Sequence, residues 1–170
     1  MNRLQATLIS NQRGKRGSGF TLVEILIVVV LLAVLAAIVI PNFSGAAANS
    51  RKVALQEQLR RVRTDIQLYK LQHQDAPPTL AGTPTDWTDL TTQKPNSAGT
   101  PCGPYMTTFP RNPLNNFSDV HVVNTDPAWG DPVPGVNIGF VYNSVTGYMW
   151  GTNTTGTLVF NEDNINDPNN

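Results

Sequence analysis

The sequence is poor in several kinds of residue, and each shortage excludes something. It holds one cysteine, Cys102, in 170 residues. That rules out an intrachain disulfide and any cysteine-based metal cluster. It holds two histidines, His73 and His121, far apart and without a Glu-x-x-His spacing. They make a poor metal or acid–base set. Cys102 sits between Pro101 and Gly103, and no Cys–His–Asn arrangement can be argued from it. No glycine-rich phosphate loop, nucleophile elbow or internal repeat is present. An enzyme is therefore not expected. Charged residues are only 14% of the chain, beside 13 Gly and 13 Pro, a mix that suits a loop-rich domain outside the cytosol.

The formal net charge is zero, but the charges are divided. Residues 1–70 hold ten basic and three acidic residues, a net of +7, and residues 71–170 hold two and nine, a net of −7. Such asymmetry points to a membrane or interaction role for the basic end. Hydropathy is concentrated as well. From Ile25 to Ile40 the chain reads ILIVVVLLAVLAAIVI, sixteen apolar residues without a break. Counted from Phe20, the segment spans roughly 30 Å as a helix, the thickness of a bilayer core. Before it lie four bases (Arg3, Arg13, Lys15, Arg16) and no acid, so residues 1–19 are expected in the cytoplasm.

A signal peptide or plain anchor is the simplest reading, with Ala46-Ala47-Ala48 as a cleavage site. Glu24 stands against it. An acid buried deep in a membrane helix costs on the order of 2.5–3.5 kcal/mol. An anchor has no need of it, so the acid is a functional candidate once a partner can be named.

The surrounding residues, Lys15-Arg16-Gly17-Ser18-Gly19-Phe20-Thr21-Leu22-Val23-Glu24, resemble the class III signal of type IV pilins and type II secretion pseudopilins. The resemblance extends through the apolar helix to Pro41. It implies a cut between Gly19 and Phe20 by a membrane prepilin peptidase and N-methylation of Phe20. It also implies assembly into a filament, with Glu24 as fifth mature residue and Pro41 at the usual helix-bending position. Physically, the cut makes a cationic amine at Phe20, and Glu24 of one subunit can pair with the amine of a neighbour. Desolvation offsets much of that attraction, so the pair acts as a register device.

Beyond Pro41, which should loosen the helix, Leu55, Leu59, Val62, Ile66, Tyr69 and His73 form one apolar stripe. Arg51, Lys52, Arg60, Arg61 and Arg63 form a basic face opposite. Asp75-Ala76-Pro77-Pro78 should end the helix. Residues 76–118 read as a long loop with a helical turn near Trp87–Leu90. Gly103-Pro104-Tyr105-Met106 and Phe109-Pro110-Arg111-Asn112-Pro113 resemble the segment leading into the pseudopilin sheet. Val120–Asn124 reads as a short strand, Ile138–Asn143 and Gly147–Gly151 as a hairpin, and Thr157–Phe160 as a fourth strand or edge. Asn161–Asn170 should fray. His73 is expected to pack or cap, His121 to face solvent or a loop, and Trp87, Trp129 and Trp150 to lie in the core.

The expected fold is α+β: a long N-terminal transmembrane helix with its distal half packed on a small antiparallel β-sheet. The expected segments are a cleaved leader (1–19), an assembly helix (20–41), an amphipathic helix (42–75), a loop (76–118), a sheet head (119–161) and a flexible tail (162–170). The resemblance implies a single-pass inner-membrane protein with a periplasmic head. Its implied partners are other copies of itself, the peptidase/methyltransferase, minor pseudopilins and the assembly platform. No cofactor is expected, except that calcium at Asp126 and Asp131 is implied by the sheet-loop site of major secretion pseudopilins; solvated loop acids are the plainer reading. DNA on the basic face is not favoured. The missing C-terminal cysteine pair and short head favour a secretion pseudopilin over a pilus for adhesion, motility or DNA uptake. A membrane-anchored periplasmic binding domain is the rival from another class.

Overall fold

A computed structural model describes residues 19–80 and 87–170, and of residues 41–44 only the backbone. Residues 1–18, the bulk of the expected leader, lie outside the described residues. The chain divides into two compact units, Met1–Phe43 and Ser44–Asn170.

Helix α1 spans Leu22–Gln72. Proline lacks the N–H that an inner helical turn uses, yet the backbone stays helical through Pro41. The two helical segments expected on either side are one element. In the first unit, the large apolar side chains from Leu22 to Ile40 are 44% to 82% exposed. Mean hydropathy reaches 3.3 here, in a helix long enough to cross a membrane.

In the second unit the stripe finds its cover. Leu55, Leu59, Val62, Ile66 and Tyr69 pack with Trp87, Leu90, Phe140, Tyr142, Met149 and Phe160. Each such side chain, fully buried, contributes about 1.5–3 kcal/mol. The helix stops at Gln72, a little before the expected Asp75–Pro78. Gln74 and Asp75 turn left-handed (φ 59° and 65°), and Asp75 N–H donates back to the Lys70 carbonyl at 2.8 Å. This is the closing bond of a Schellman turn, which satisfies a carbonyl left open at the helix end. The prolines follow the stop.

The long loop carries more order than expected. Helix α2 (Thr88–Thr91) lies at the anticipated turn, and β1 (Lys94–Pro95) pairs antiparallel with β2 (Pro101–Cys102). Asn112, fully buried, fixes the loop's end by donating Nδ2 to the carbonyls of Gly139 (2.8 Å) and Thr152 (2.9 Å).

The main sheet has the order β3 (Asp119–Val123), β4 (Ile138–Asn143), β5 (Met149–Gly151). The β4–β5 pair is the expected antiparallel hairpin, with Val141 opposite Trp150. The β3–β4 pair is parallel, so the sheet is mixed, not purely antiparallel. A parallel pair needs a crossover of about a dozen residues or more, which residues 124–137 supply. Strand β4 is buried throughout. Phe140 and Tyr142 meet the helix, while Val141 joins Val133, Trp150 and Val159 in a second cluster, as the two-residue period requires. Gly151 lets β5 approach the helix: a Cβ there would lie 2.8 Å from Leu55 Cδ2.

Two further expectations change. Thr157–Phe160 forms no strand, only single bridges from Leu158 to Pro132 and from Val159 to Thr152. The tail expected to fray is tied down. Asn161 N–H donates to Asn170 Oδ1 at 2.7 Å, Lys52 Nζ donates to the Ile165 carbonyl at 2.8 Å, and Gln56 Nε2 donates to the Glu162 carbonyl at 2.7 Å. The local donor–acceptor pattern of asparagine, which composition alone hides, replaces the missing apolar contacts.

Candidate functional site

The start of α1 is built by four residues. Thr21 is the last non-helical residue, and its carbonyl accepts the Ile25 N–H at 3.3 Å. Thr21 Oγ1 accepts the Glu24 N–H at 3.2 Å, and Glu24 Oε2 accepts the Thr21 N–H at 2.8 Å. Thr21 Oγ1–H also donates to Glu24 Oε2 at 2.8 Å. This is a capping box: two helix-end N–H groups are satisfied reciprocally, with the acid at the positive end of the helix dipole. Just before it, Phe20 is 84% exposed, and the space around Gly19 is open. Glu24 thus has a local partner that the sequence reading lacked. Thr-x-x-Glu before an apolar run was the signal for it.

The remaining sites expected from sequence are distributed over the chain. Pro41's side chain lies outside the described residues. His73 stacks on Tyr69, centroids 3.9 Å apart, and donates Nδ1–H to the Tyr69 carbonyl at 2.9 Å. It packs and caps the helix end together. His121 is half-buried on β3. Cys102 is a buried free thiol. Trp87 and Trp150 are core residues, whereas Trp129 is 38% exposed and donates Nε1–H to Asp163 at 2.9 Å.

The basic face is divided too. Arg51, Arg60 and Arg61 are exposed. Arg63 turns inward: Nη1 donates to Glu162 Oε2 at 2.8 Å, Nε donates to the Met149 carbonyl at 2.8 Å, and the guanidinium lies 4.1 Å over the Tyr148 ring. Bidentate geometry and cation–π contact make arginine, not lysine, the residue that fits here. A second buried charge, Asp89, is held by Lys94, by the Thr79 N–H at 2.9 Å and by the Tyr69 hydroxyl at 3.3 Å. Burial first, then the Asp89 charge, pushes the Tyr69 hydroxyl up to about 12. Burial raises Tyr142 as well.

Asp126 and Asp131 lie in the β3–β4 crossover. Asp126 Oδ1 accepts from Asn143 Nδ2 at 2.7 Å, and Asp131 Oδ2 accepts the Ala128 N–H at 2.7 Å. Among the described residues no group of three His, Cys, Asp or Glu side chains forms a metal set.

A helix apolar through its first half, a capped acid at its start and an α+β head on its distal half define the class of pilin-like membrane subunits. Residues 11–40 match the family described as the prokaryotic N-terminal methylation motif. The type II secretion system core protein G of Pectobacterium carotovorum subsp. carotovorum is 32% identical over 102 residues, covering 60% of this chain and 65% of that protein. The same protein of Aeromonas hydrophila is 30% identical over 106 residues, 60% of this chain and 71% of the relative. That of Klebsiella pneumoniae is 30% identical over 99 residues, 58% and 70%. No solved structure matches the chain. The chain belongs to the type II secretion system core protein G family, and the apolar first half of α1 suits a membrane anchor.

Proposed function

We propose that the chain is a structural subunit of a type II secretion pseudopilus, without enzymatic activity of its own. Prepilin peptidase cuts between Gly19 and Phe20 on the cytoplasmic side of the inner membrane, and the new amine of Phe20 is methylated. The head is periplasmic, and the subunits polymerise through their apolar helices. Minor pseudopilins and the inner-membrane assembly platform are its further partners. The observation that carries this reading is one carboxylate, Glu24, at the start of a helix whose first-half apolar side chains stay exposed among the described residues, directly after the cleavage-type sequence.

The capping box refines how Glu24 works. Before cleavage Thr21 supplies its hydrogen bonds, which lowers the cost of carrying the acid into the membrane. After cleavage each subunit adds a cationic amine one residue ahead of Thr21. A neighbour's amine then offers Glu24 a charged partner in place of a neutral one, and charge-assisted hydrogen bonds are roughly twice as strong. Docking at the wrong register leaves the amine without a countercharge and Glu24 with only its neutral cap, which low dielectric penalises.

Intact mass of the mature protein tests the processing: it should begin at a methylated Phe20. A chain left uncut, or cut near Ala48, would overturn the reading. Glu24→Val should still insert in the membrane and still be cut, but should drop out of filaments; normal incorporation of that variant would refute the pairing role. The calcium implied at Asp126 and Asp131 has less support, since both carboxylates already accept hydrogen bonds from the chain.

A further inference from the structure

Calcium takes about six to eight oxygen ligands, with carboxylates free to turn toward it. The head commits its acids elsewhere. Asp126 Oδ1 accepts from Asn143 Nδ2 at 2.7 Å and from Thr146 Oγ1 at 3.5 Å. Asp131 Oδ2 closes a turn on the Ala128 N–H at 2.7 Å. Glu162 accepts from both terminal nitrogens of Arg63, Nη1 at 2.8 Å and Nη2 at 2.5 Å. Asp163 accepts from Trp129 Nε1 at 2.9 Å. Asp167 accepts from Asn161 Nδ2 at 2.8 Å and from the Asn169 N–H at 2.9 Å. Every acid from the crossover to the end of the tail is thus answered by an N–H donor of the chain. Lys52 and Arg63 stand against the same tail, and their field opposes a divalent cation.

We propose that this head closes without a metal, through a clasp formed by residues 161–170. The clasp has an inner and an outer part. Inside, Asn161 N–H donates to Asn170 Oδ1 at 2.7 Å, and Asn170 Nδ2 donates to the carbonyls of Asn161 (3.1 Å) and Asn164 (3.0 Å). Asn153 Nδ2 fastens the segment to the head through the Asn169 carbonyl at 3.0 Å. Outside, Lys52, Gln56 and Arg63 pin it to α1 through Ile165 and Glu162. Asparagine suits the inner part because one short side chain offers donors and an acceptor together. The clasp accounts for a tail rich in asparagine. It concerns the head alone and stands whether or not the filament reading holds.

The test uses the full chain in detergent micelles, with thermal unfolding followed by near-ultraviolet circular dichroism. The midpoint should be the same in excess calcium chloride and in excess EGTA, and calorimetric titration with calcium chloride should give no saturable heat. Asp126→Ala should shift the midpoint less than Asn170→Ala, which removes all three inner-clasp bonds and should lower it by at least about 2–4 °C in either buffer. If Asn170→Ala does not fold, Asn161→Ala, which removes the side-chain bond to Asp167 and keeps the backbone bonds to Asn170, should give a smaller drop of the same kind. A midpoint lowered by EGTA, or saturable calcium binding, would overturn the proposal. So would an unchanged midpoint in both asparagine variants.

Discussion

The two halves of α1 are written in similar apolar residues and meet opposite fates. From Leu22 to Ile40 the large apolar side chains stay exposed, and from Leu55 to Tyr69 the stripe is buried to 7% exposure or less. The difference lies in spacing. The first half is apolar on every side, so no single face of a small head could cover it. The second repeats its apolar residues every three or four positions, which gives a stripe that one sheet can cover. The first half therefore depends on lipid or other helices, and the second on its own chain. Burial within the chain and exposure to lipid or other helices are thus separated along one helix.

The same substitution in each half gives the largest expected contrast. Leu59→Ala opens a cavity in a fully covered site and should cost about 2–5 kcal/mol of head stability. Leu31→Ala, at a side chain 59% exposed in the subunit, should leave the thermal midpoint of the head unchanged. Its effect should appear in filament yield instead. Equal midpoint losses in the two variants would erase the distinction between the halves.

High pH probes the buried half alone. Tyr69 titrates at about 12 in the folded head, against 10.0 for the free side chain, and Tyr142 is shifted in the same direction. The folded state then holds these protons more tightly than the unfolded chain. The stabilisation is complete below pH 10.0 and is lost as pH climbs toward about 12. The midpoint should fall across that window, and tyrosinate absorbance should rise together with unfolding. With Tyr105 and the exposed Tyr148 changed to Phe, phenolate signal appearing at pH 10.0 with the fold intact would contradict the burial of these two hydroxyls.

Much of this was legible in sequence where a periodic signal existed. The Ile25–Ile40 run, the Leu55–Tyr69 stripe and the GFVYN–GYMWG hairpin each declare their environment through side-chain spacing alone. The parallel pairing of β3 with β4 was not legible, because strand direction depends on where a 14-residue crossover lays the chain. The bonding of the tail was not legible for a different reason. Composition counts Asn and Asp as solvent-loving, whereas the distances show them bonding to one another and to Lys52, Gln56 and Arg63. Arg63 likewise looked like one base on an exposed face, and its inward turn depends on Glu162, a residue far along the chain.

The smallest expected effect sits where the exposed half begins. Thr21→Ala removes the hydroxyl that accepts the Glu24 N–H and donates to Oε2, but leaves the backbone bond from Thr21 N–H to Glu24. Loss of such a cap costs about 0.5–2 kcal/mol. The cost is local, so hydrogen exchange should quicken in the first turn of α1 while the head keeps its midpoint. Thr21→Ser, which retains the hydroxyl, should restore slow exchange. Assembly should respond in a graded way, since Glu24 still carries its charge for a neighbour's amine. If Thr21→Ala blocked filaments as completely as Glu24→Val, Glu24 would be acting through its cap, and the pairing of charges between subunits would have to be given up.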